Sequence, residues 1–199
     1  MYITDIKKNR KMYTSIYIDG DFFAKIDSEI FLKSGLKIGS EVDENFLKNL
    51  MYESDYKKAK DKSLYLLSFR DYSKKELVDK LKKDFSNEAV DNAVQRIFEL
   101  GLVNDESFAK KYAKELLFNK HFSKRKTEFE LIQKGIDKDL ICSILDEIDF
   151  DPIEQIKFLV DKKYKLAYTD EKVKKRAFAF LQRYGYSWDD IKQVFDFYR

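Results

Sequence analysis

The side chains best suited to acid–base or nucleophilic chemistry are few in this sequence. Its 199 residues include one histidine, His121, and one cysteine, Cys142. A histidine becomes a general base when a partner orients it, and a thiol becomes a nucleophile when nearby positive charge stabilises its thiolate. His121 lies in Lys120-His121-Phe122, at a predicted connection between helices and without an identifiable partner. We interpret it as a solvent-exposed loop residue.

Cys142 sits inside an apolar helical pattern, so we predict a buried structural thiol. A single cysteine excludes an intrachain disulfide, and one cysteine with one histidine does not make a zinc site of the usual kind. The sequence contains no glycine-rich phosphate loop, nucleophile elbow or dinucleotide fingerprint. Its carboxylates lie beside lysines on charged helical faces, where weak ion pairs are expected. We therefore expect no metal, no cofactor and no catalytic activity.

Basic residues are the more informative candidates, because they recur in three clusters at similar positions. The candidate binding residues are Lys74, Lys75, Lys82, Lys83, Lys124, Arg125, Lys126, Lys174, Lys175, Arg176 and Arg183. Each cluster alone is compatible with a solvated outer face. Recurrence favours a basic stripe that contacts phosphates or an acidic protein surface. Several of these residues begin helices, where positive charge acts against the helix dipole, and this small cost also favours a role in binding.

Aromatic residues are interleaved with the second and third basic clusters. They are Phe122, Phe129, Phe178, Phe180, Tyr184, Tyr186 and Trp188. Exposed aromatic rings stack on nucleic-acid bases. Their helical spacing is more typical of a hydrophobic core, so we predict that they are core residues.

A repeat of about 50 residues organises most of the chain. Leu81, Leu131 and Leu181 share one position of the repeat, and Phe85, Gly135 and Gly185 share another. Each repeat has a leading helix, predicted over residues 55–69, 105–120 and 152–167, followed by two shorter helices. The last helix carries one apolar face, formed by Val90, Ala93, Val94 and Ile97, then Ile141, Ile144, Leu145 and Ile148, then Ile191, Val194, Phe195 and Tyr198. Three-helix units of this size complete their core by stacking.

The amino-terminal region has a different pattern. Residues 2–6, 13–19 and 22–27 are β-prone, and Asp19-Gly20 is a two-residue hairpin signal. We predict a small three-stranded meander, a short helix over residues 28–34 that Gly35 closes, and a further helix that starts near Asp43. The expected fold is mainly α, with three tandem three-helix repeats in an elongated, curved stack after this β segment. The predicted segments are 1–52, 53–101, 102–149 and 150–199.

The overall charge limits the class of partner. The formal net charge is only +3, well short of the excess typical of proteins that live on nucleic acid. No apolar run approaches the length of a membrane span, and the first residues lack the apolar core of a signal peptide. We expect a cytoplasmic protein without membrane contacts.

Three motifs in order carry a resemblance to a known family. They are Leu100-Gly-Leu-Val-Asn-Asp-Glu-Ser-Phe-Ala-Lys-Lys-Tyr-Ala113, then Leu131-Ile-Gln-Lys-Gly-Ile136, and upstream Ser73-Lys-Lys-Glu-Leu77. This set resembles the RecX family, bacterial regulators of the RecA recombinase. The sequence departs from the family pattern at His121-Phe122-Ser123, where members often have glycine, and this departure puts the local loop geometry in question.

The resemblance implies a non-enzymatic regulator, expected to be a monomer, that binds the RecA–DNA filament and modulates recombination and DNA repair. Single- or double-stranded DNA is a further expected partner. Reversing the charge of Lys124, Arg125 and Lys126 is then expected to weaken filament binding.

Three alternatives stay open from the sequence alone. A stand-alone DNA-binding protein with helix-turn-helix-like helix pairs predicts tight duplex binding with a steep salt dependence. An adaptor that pairs through an edge of the β segment predicts a loss of binding when residues 1–40 are deleted. An enzyme requires a pocket with perturbed carboxylates.

Overall fold

The structure is a computed structural model, and it describes residues 1–9 and 12–197, without the side chain of residue 197. The chain forms two compact units, Met1–Asn104 and Asp105–Arg199. The first unit holds the β segment and the first repeat. The second holds the other two repeats.

An antiparallel sheet of three strands opens the first unit. Its strands are β1 (Ile3–Asn9), β2 (Tyr13–Ile18) and β3 (Asp21–Asp27), in the order β1-β2-β3. Asp19 and Gly20 join β2 to β3 with φ angles of 50° and 98°. Both residues have the positive φ of a type I′ turn, whose twist matches that of the paired strands. The predicted meander is therefore confirmed.

Two helices cover this sheet. Helix α1 (Ser28–Ser34) begins at the Asp27 cap and ends at Gly35, as predicted. Helix α2 (Glu44–Leu67) has 24 residues and begins at the Asp43 cap. Its first half packs Leu47 and Leu50 into the core of the sheet, with Ile3, Ile16 and Ile26.

The predicted helix start near Asp43 is confirmed, whereas the separate start of the leading helix of the first repeat at residue 55 was wrong. Helix α2 runs from Glu44 through the predicted segment boundary at residue 52 without interruption. No proline or glycine occurs between Gly39 and Gly101, so nothing in the local sequence ends the helix there. One helix thus serves both the sheet and the first repeat.

The first repeat is completed by α3 (Lys74–Leu81) and α4 (Asn87–Glu99). Helix α3 begins with the predicted capping box, in which the Glu76 amide donates to Ser73 Oγ at 3.1 Å and the Ser73 amide donates to the Glu76 carboxylate at 3.4 Å. The fully buried residues of the repeat's core are Ala59, Leu77, Leu81, Val90, Ala93, Val94 and Ile97.

The second unit contains two more repeats of the same design. The second repeat has α5 (Asp105–Lys114), which continues as a π-helical turn over Glu115–Asn119, then α6 (Lys124–Gln133) and α7 (Lys138–Glu147). The third repeat has α8 (Pro152–Lys163), a 3-10 turn over Lys165–Tyr168, α9 (Glu171–Arg183) and α10 (Trp188–Phe197). Both leading helices leave α geometry earlier than predicted, at residues 114 and 163.

The predicted apolar faces form the cores of these repeats. Leu81, Leu131 and Leu181 are each fully buried. Ile141, Ile144, Leu145, Ile191, Val194 and Phe195 are also buried, whereas Ile148 is half-buried and Tyr198 lies outside the described residues. Gly101, Gly135 and Gly185 have positive φ after the helices that they end. The predicted mainly helical fold with three three-helix repeats is confirmed.

Candidate binding surface

One lysine near the start of each middle helix bonds or packs within its own repeat. Lys74 donates to Gln95 Oε1 at 2.6 Å, and Lys124 donates to the Leu145 carbonyl at 2.5 Å. The ammonium group of Lys174 lies 5.5 Å from the centre of the Phe195 ring. In all three repeats, the lysine that begins or nearly begins the middle helix reaches the last helix.

The contact of Lys124 also offsets the unfavourable interaction between its positive charge and the dipole of its own helix. Lys124 begins α6, where its charge acts against the dipole of that helix. The carbonyl of Leu145 belongs to the last turn of α7, which is the negative end of that helix and has unsatisfied acceptors. Recurrence of a lysine at this position therefore has an explanation inside the repeat, without a partner molecule.

In the first repeat, ion pairs engage most of the remaining basic candidates. Lys75 pairs with Asp79 at 3.0 Å, and Lys82 pairs with Asp91 at 2.9 Å. Lys83 is exposed and makes no ion pair with any residue that the structure describes. The first repeat thus offers little basic surface that is not already paired.

In the second repeat, Arg125 is the exposed candidate. Its side chain makes no hydrogen bond or ion pair within residues 1–9 and 12–197. Its neighbour Lys126 pairs with Glu130 at 2.9 Å, and its ammonium lies 4.9 Å from the ring centre of Phe129. Of the three basic residues that open α6, only Arg125 points to solvent without a partner.

Helix α9 carries the most extensive unpaired basic face. Lys175, Arg176 and Arg183 are exposed, and so is Lys172, which was missing from the predicted set. Spacings of three, four and seven residues place these four side chains on one face of a helix. None of the four has an ionic partner in the described part of the chain. Lys172 was recognisable from its spacing to Arg176, one helical turn away.

The loop after α9 packs against the beginning of α6. The Ser123 amide donates to the Tyr184 carbonyl at 2.9 Å, and the Tyr186 hydroxyl donates to the His121 carbonyl at 3.0 Å. A Cβ atom on Gly185 would overlap Ser123 Oγ and lie 2.6 Å from Lys126 Cβ, too close for any side chain. Glycine at 185 is therefore required by the approach of two backbones.

This contact brings the basic residues of α6 beside the end of α9. A pocket of about 280 Å³ is lined by Lys124 and Arg125 from α6, and by residues from Gly185 to Ser187 in the loop. Arg125 is thus placed near the carboxyl end of the α9 basic face.

The aromatic candidates divide between core and surface. Phe180 and Tyr186 are buried, and Phe122, Phe178 and Tyr184 are half-buried. Phe129 is 52% exposed and Trp188 is 56% exposed, so the prediction of core positions was wrong for these two. Trp188 packs against Phe178 at 4.9 Å on the wall of a groove of about 530 Å³ that Lys174, Lys175 and Lys192 also line.

Two further predictions about single residues were wrong. Cys142 is exposed, because Ile141, Ile144 and Leu145 form the buried face of α7 and residue 142 is turned about 100° away from Ile141. His121 is half-buried, and its Nδ1 lies 2.9 Å from Gln155 Oε1. Its backbone has a φ of 57°, a left-handed conformation that few residues other than glycine adopt.

Hydrogen bonds and burial within the fold account for the perturbed pKa values of Lys57, Lys58 and Tyr186. A hydrogen bond to Asp61 raises the pKa of Lys57, and desolvation lowers the pKa of Lys58. Burial raises the pKa of the Tyr186 phenol, whose hydroxyl donates to the His121 carbonyl. Within the described residues, no group of three or more histidine, cysteine or carboxylate side chains is arranged to hold a metal ion. No described helix is both long and apolar enough to cross a membrane.

Comparison with known proteins supports the division of the chain into three repeats. Family models for the first, second and third three-helix domains of RecX match residues 59–96, 104–145 and 149–195. Regulatory protein RecX of Caldanaerobacter subterraneus subsp. tengcongensis is 31% identical over 192 residues, which cover 95% of each chain. The chain belongs to the RecX family.

Other RecX proteins are similar over much of the chain. The protein of Clostridioides difficile is 30% identical over 96% of this chain and 93% of its own, and that of Chlorobium phaeobacteroides is 34% identical over 73% and 97%. A crystal structure of regulatory protein RecX shares the fold, with a TM-score of 0.64 and 22% identity over 98% of both chains. RecX from Lactobacillus salivarius has a TM-score of 0.59, at 23% identity over 71% of this chain and 95% of that one. The family is one of regulatory proteins.

Proposed function

We propose that this RecX protein is a non-enzymatic regulator that binds the RecA–DNA filament and modulates recombinase activity. Its main contact surface is the basic face of α9, together with Arg125 of α6. The observation that carries this proposal is the row of four exposed cations on α9 that have no ionic partner among the described residues.

Unpaired cations favour binding because no internal ion pair has to be broken first. A phosphate or carboxylate that meets Arg176 gains a charge-assisted hydrogen bond, and arginine presents a planar fork of donors to it. Lys75 and Lys82 would first have to leave Asp79 and Asp91. The surface of the second unit is therefore the better candidate, although the first repeat supplied four of the predicted residues.

Binding through this surface is sufficient for regulation, without catalysis. A filament presents phosphates and acidic side chains in a periodic array, and a helix face with several cations can contact more than one of them. Occupying such a site blocks the addition of a subunit or changes the contact between subunits. No bond has to be made or broken in this mechanism.

The proposal is tested by ATP hydrolysis of the cognate recombinase on single-stranded DNA, titrated with this protein. We expect a dose-dependent change with the wild-type protein. The reversal variant Lys175→Glu/Arg176→Glu/Arg183→Glu is expected to lose most of it, because each reversal adds repulsion to a lost contact. Far-UV circular dichroism checks that the helices remain.

The matched control is Lys114→Glu/Lys138→Glu/Lys165→Glu, which changes the net charge equally on exposed positions of the same unit. Equal loss in both variants would reduce the effect to net charge and reject the assigned surface. No change of ATP hydrolysis by the wild-type protein, with filaments confirmed, would reject the regulator itself. Tight duplex binding with a steep salt dependence and no recombinase would favour the stand-alone DNA-binding alternative.

A further inference from the structure

A second basic site lies in a pocket between the loop that precedes α6 and the end of α8. Its volume is about 310 Å³, and its charged lining residues are Lys120, Lys162 and Lys163, with His121 beside them. No carboxylate is present among the described residues that line it. None of these residues belongs to the recurring basic clusters, so the sequence pattern did not indicate this pocket.

The lysines of this pocket have few competing partners. The ammonium of Lys162 lies 5.1 Å from the ring centre of Phe158, and that of Lys163 lies 4.7 Å from that of Phe180. Neither makes an ion pair with any described residue. Lys120 lies 3.3 Å from the carboxylate of Glu115, but both side chains are almost half exposed, and such surface pairs are weak.

The backbone that presents these groups is irregular and firmly held. The π-helical turn closes with the Lys120 amide donating to the Glu115 carbonyl at 3.0 Å, and single π turns are frequent at functional sites. His121 then adopts its left-handed conformation, with its carbonyl bonded to Tyr186 and its Nδ1 to Gln155. Its ring lies 4.7 Å from that of Phe158, so the imidazole is fixed at the pocket.

The walls of the pocket also offer aromatic surface. Phe122 and Tyr184 line it, with ring centres 5.2 Å apart and an angle of 86° between their planes. Aromatic faces beside cations suit a phosphate ester that carries a base, because the base stacks while the phosphate meets the ammonium groups. A phosphate also has more acceptor oxygens than a carboxylate and can satisfy several donors together.

We infer that this pocket binds the phosphate group of a nucleic-acid strand or of a free nucleotide, through Lys120, Lys162 and Lys163. His121 lies at its edge and reports its occupancy. The inference does not depend on the filament-binding function, since a phosphate site can be measured on the protein alone.

The test uses His121, the single histidine of the chain, as a spectroscopic probe. The imidazole resonance of the full-length, untagged protein is followed by NMR at constant pH and ionic strength. A short oligothymidine, ATP and inorganic phosphate are titrated separately. We expect a saturable shift of the resonance with at least one of these ligands.

The variant Lys162→Gln/Lys163→Gln should keep the fold and lose the saturable shift. Its matched control, Lys114→Gln/Lys138→Gln, removes the same charge from exposed residues that do not line the pocket, and should keep the shift. For a single strand, the loss of two phosphate contacts should lower the slope of log K against log salt by about 1.4 and weaken binding at low salt by about 10-fold or more.

The ligands distinguish the source of the phosphate. A shift with oligothymidine alone assigns the pocket to a strand, and a shift with ATP alone assigns it to a nucleotide. A shift with all three assigns it to the phosphate itself. Absence of a saturable shift with every ligand overturns the inference, and so does an equal loss in the control variant. Either result leaves the recombinase assay above unaffected, because that assay depends on α9.

Discussion

Replacing Gly185 with alanine tests whether the loop after α9 packs closely against the start of α6. Gly185 has a φ of 91°, and its new Cβ would overlap Ser123 Oγ and lie 2.6 Å from Lys126 Cβ and 3.1 Å from the Lys126 amide nitrogen. The left-handed backbone alone costs a residue with a Cβ about 1–2 kcal/mol. The overlap with Ser123 and Lys126 adds about 1–3 kcal/mol, as overpacking does in a close-packed interior.

Gly101→Ala is the matched control, because Gly101 ends α4 in the same way. Its φ is 70°, but nothing lies within 4 Å of its new Cβ. This variant should therefore lose about 1–2 kcal/mol of unfolding free energy from the backbone alone. The difference between the two variants isolates the overlap at Ser123 and Lys126, at about 1–3 kcal/mol.

Urea denaturation followed by far-UV circular dichroism measures both losses. Trp188, the single tryptophan, adds a fluorescence signal from the second unit. Equal losses for Gly185→Ala and Gly101→Ala would refute the close approach of the loop to α6. The adjacency of Arg125 and the end of α9 would then lose its structural basis.

Two more substitutions test single hydrogen bonds. Tyr186→Phe removes the donor to the His121 carbonyl and should lower the free energy of unfolding by about 1–2 kcal/mol in the same assay, because a half-buried acceptor loses its partner. Unchanged stability would show that this bond does not hold the left-handed turn. Lys124→Met removes the donor to the Leu145 carbonyl and should cost about 1 kcal/mol of stability while leaving the effect on recombinase ATP hydrolysis unchanged. A loss of regulation at full stability would instead return Lys124 to the binding surface.

Local signals in the sequence were sufficient for most of the helical framework. The capping box at Ser73, the proline at the start of α8 and the glycines that end α4, α6 and α9 all act within a few residues. The stripe of Ile141, Ile144 and Leu145 is equally local, because helical periodicity alone selects its face. The same periodicity placed Cys142 off that face, yet its apolar neighbourhood led to the wrong prediction of burial.

The three repeats, their caps and their buried faces follow from the sequence alone, since each depends on short-range spacing. Which recurring lysines are already engaged follows from the packing of the helices, because Lys74, Lys124 and Lys174 find their partners on another helix. The same packing also assembles the phosphate pocket from Lys120 and Lys163, which share no local pattern. Whether a charge is free to bind depends on what packs around it, and spacing along the chain does not carry that information.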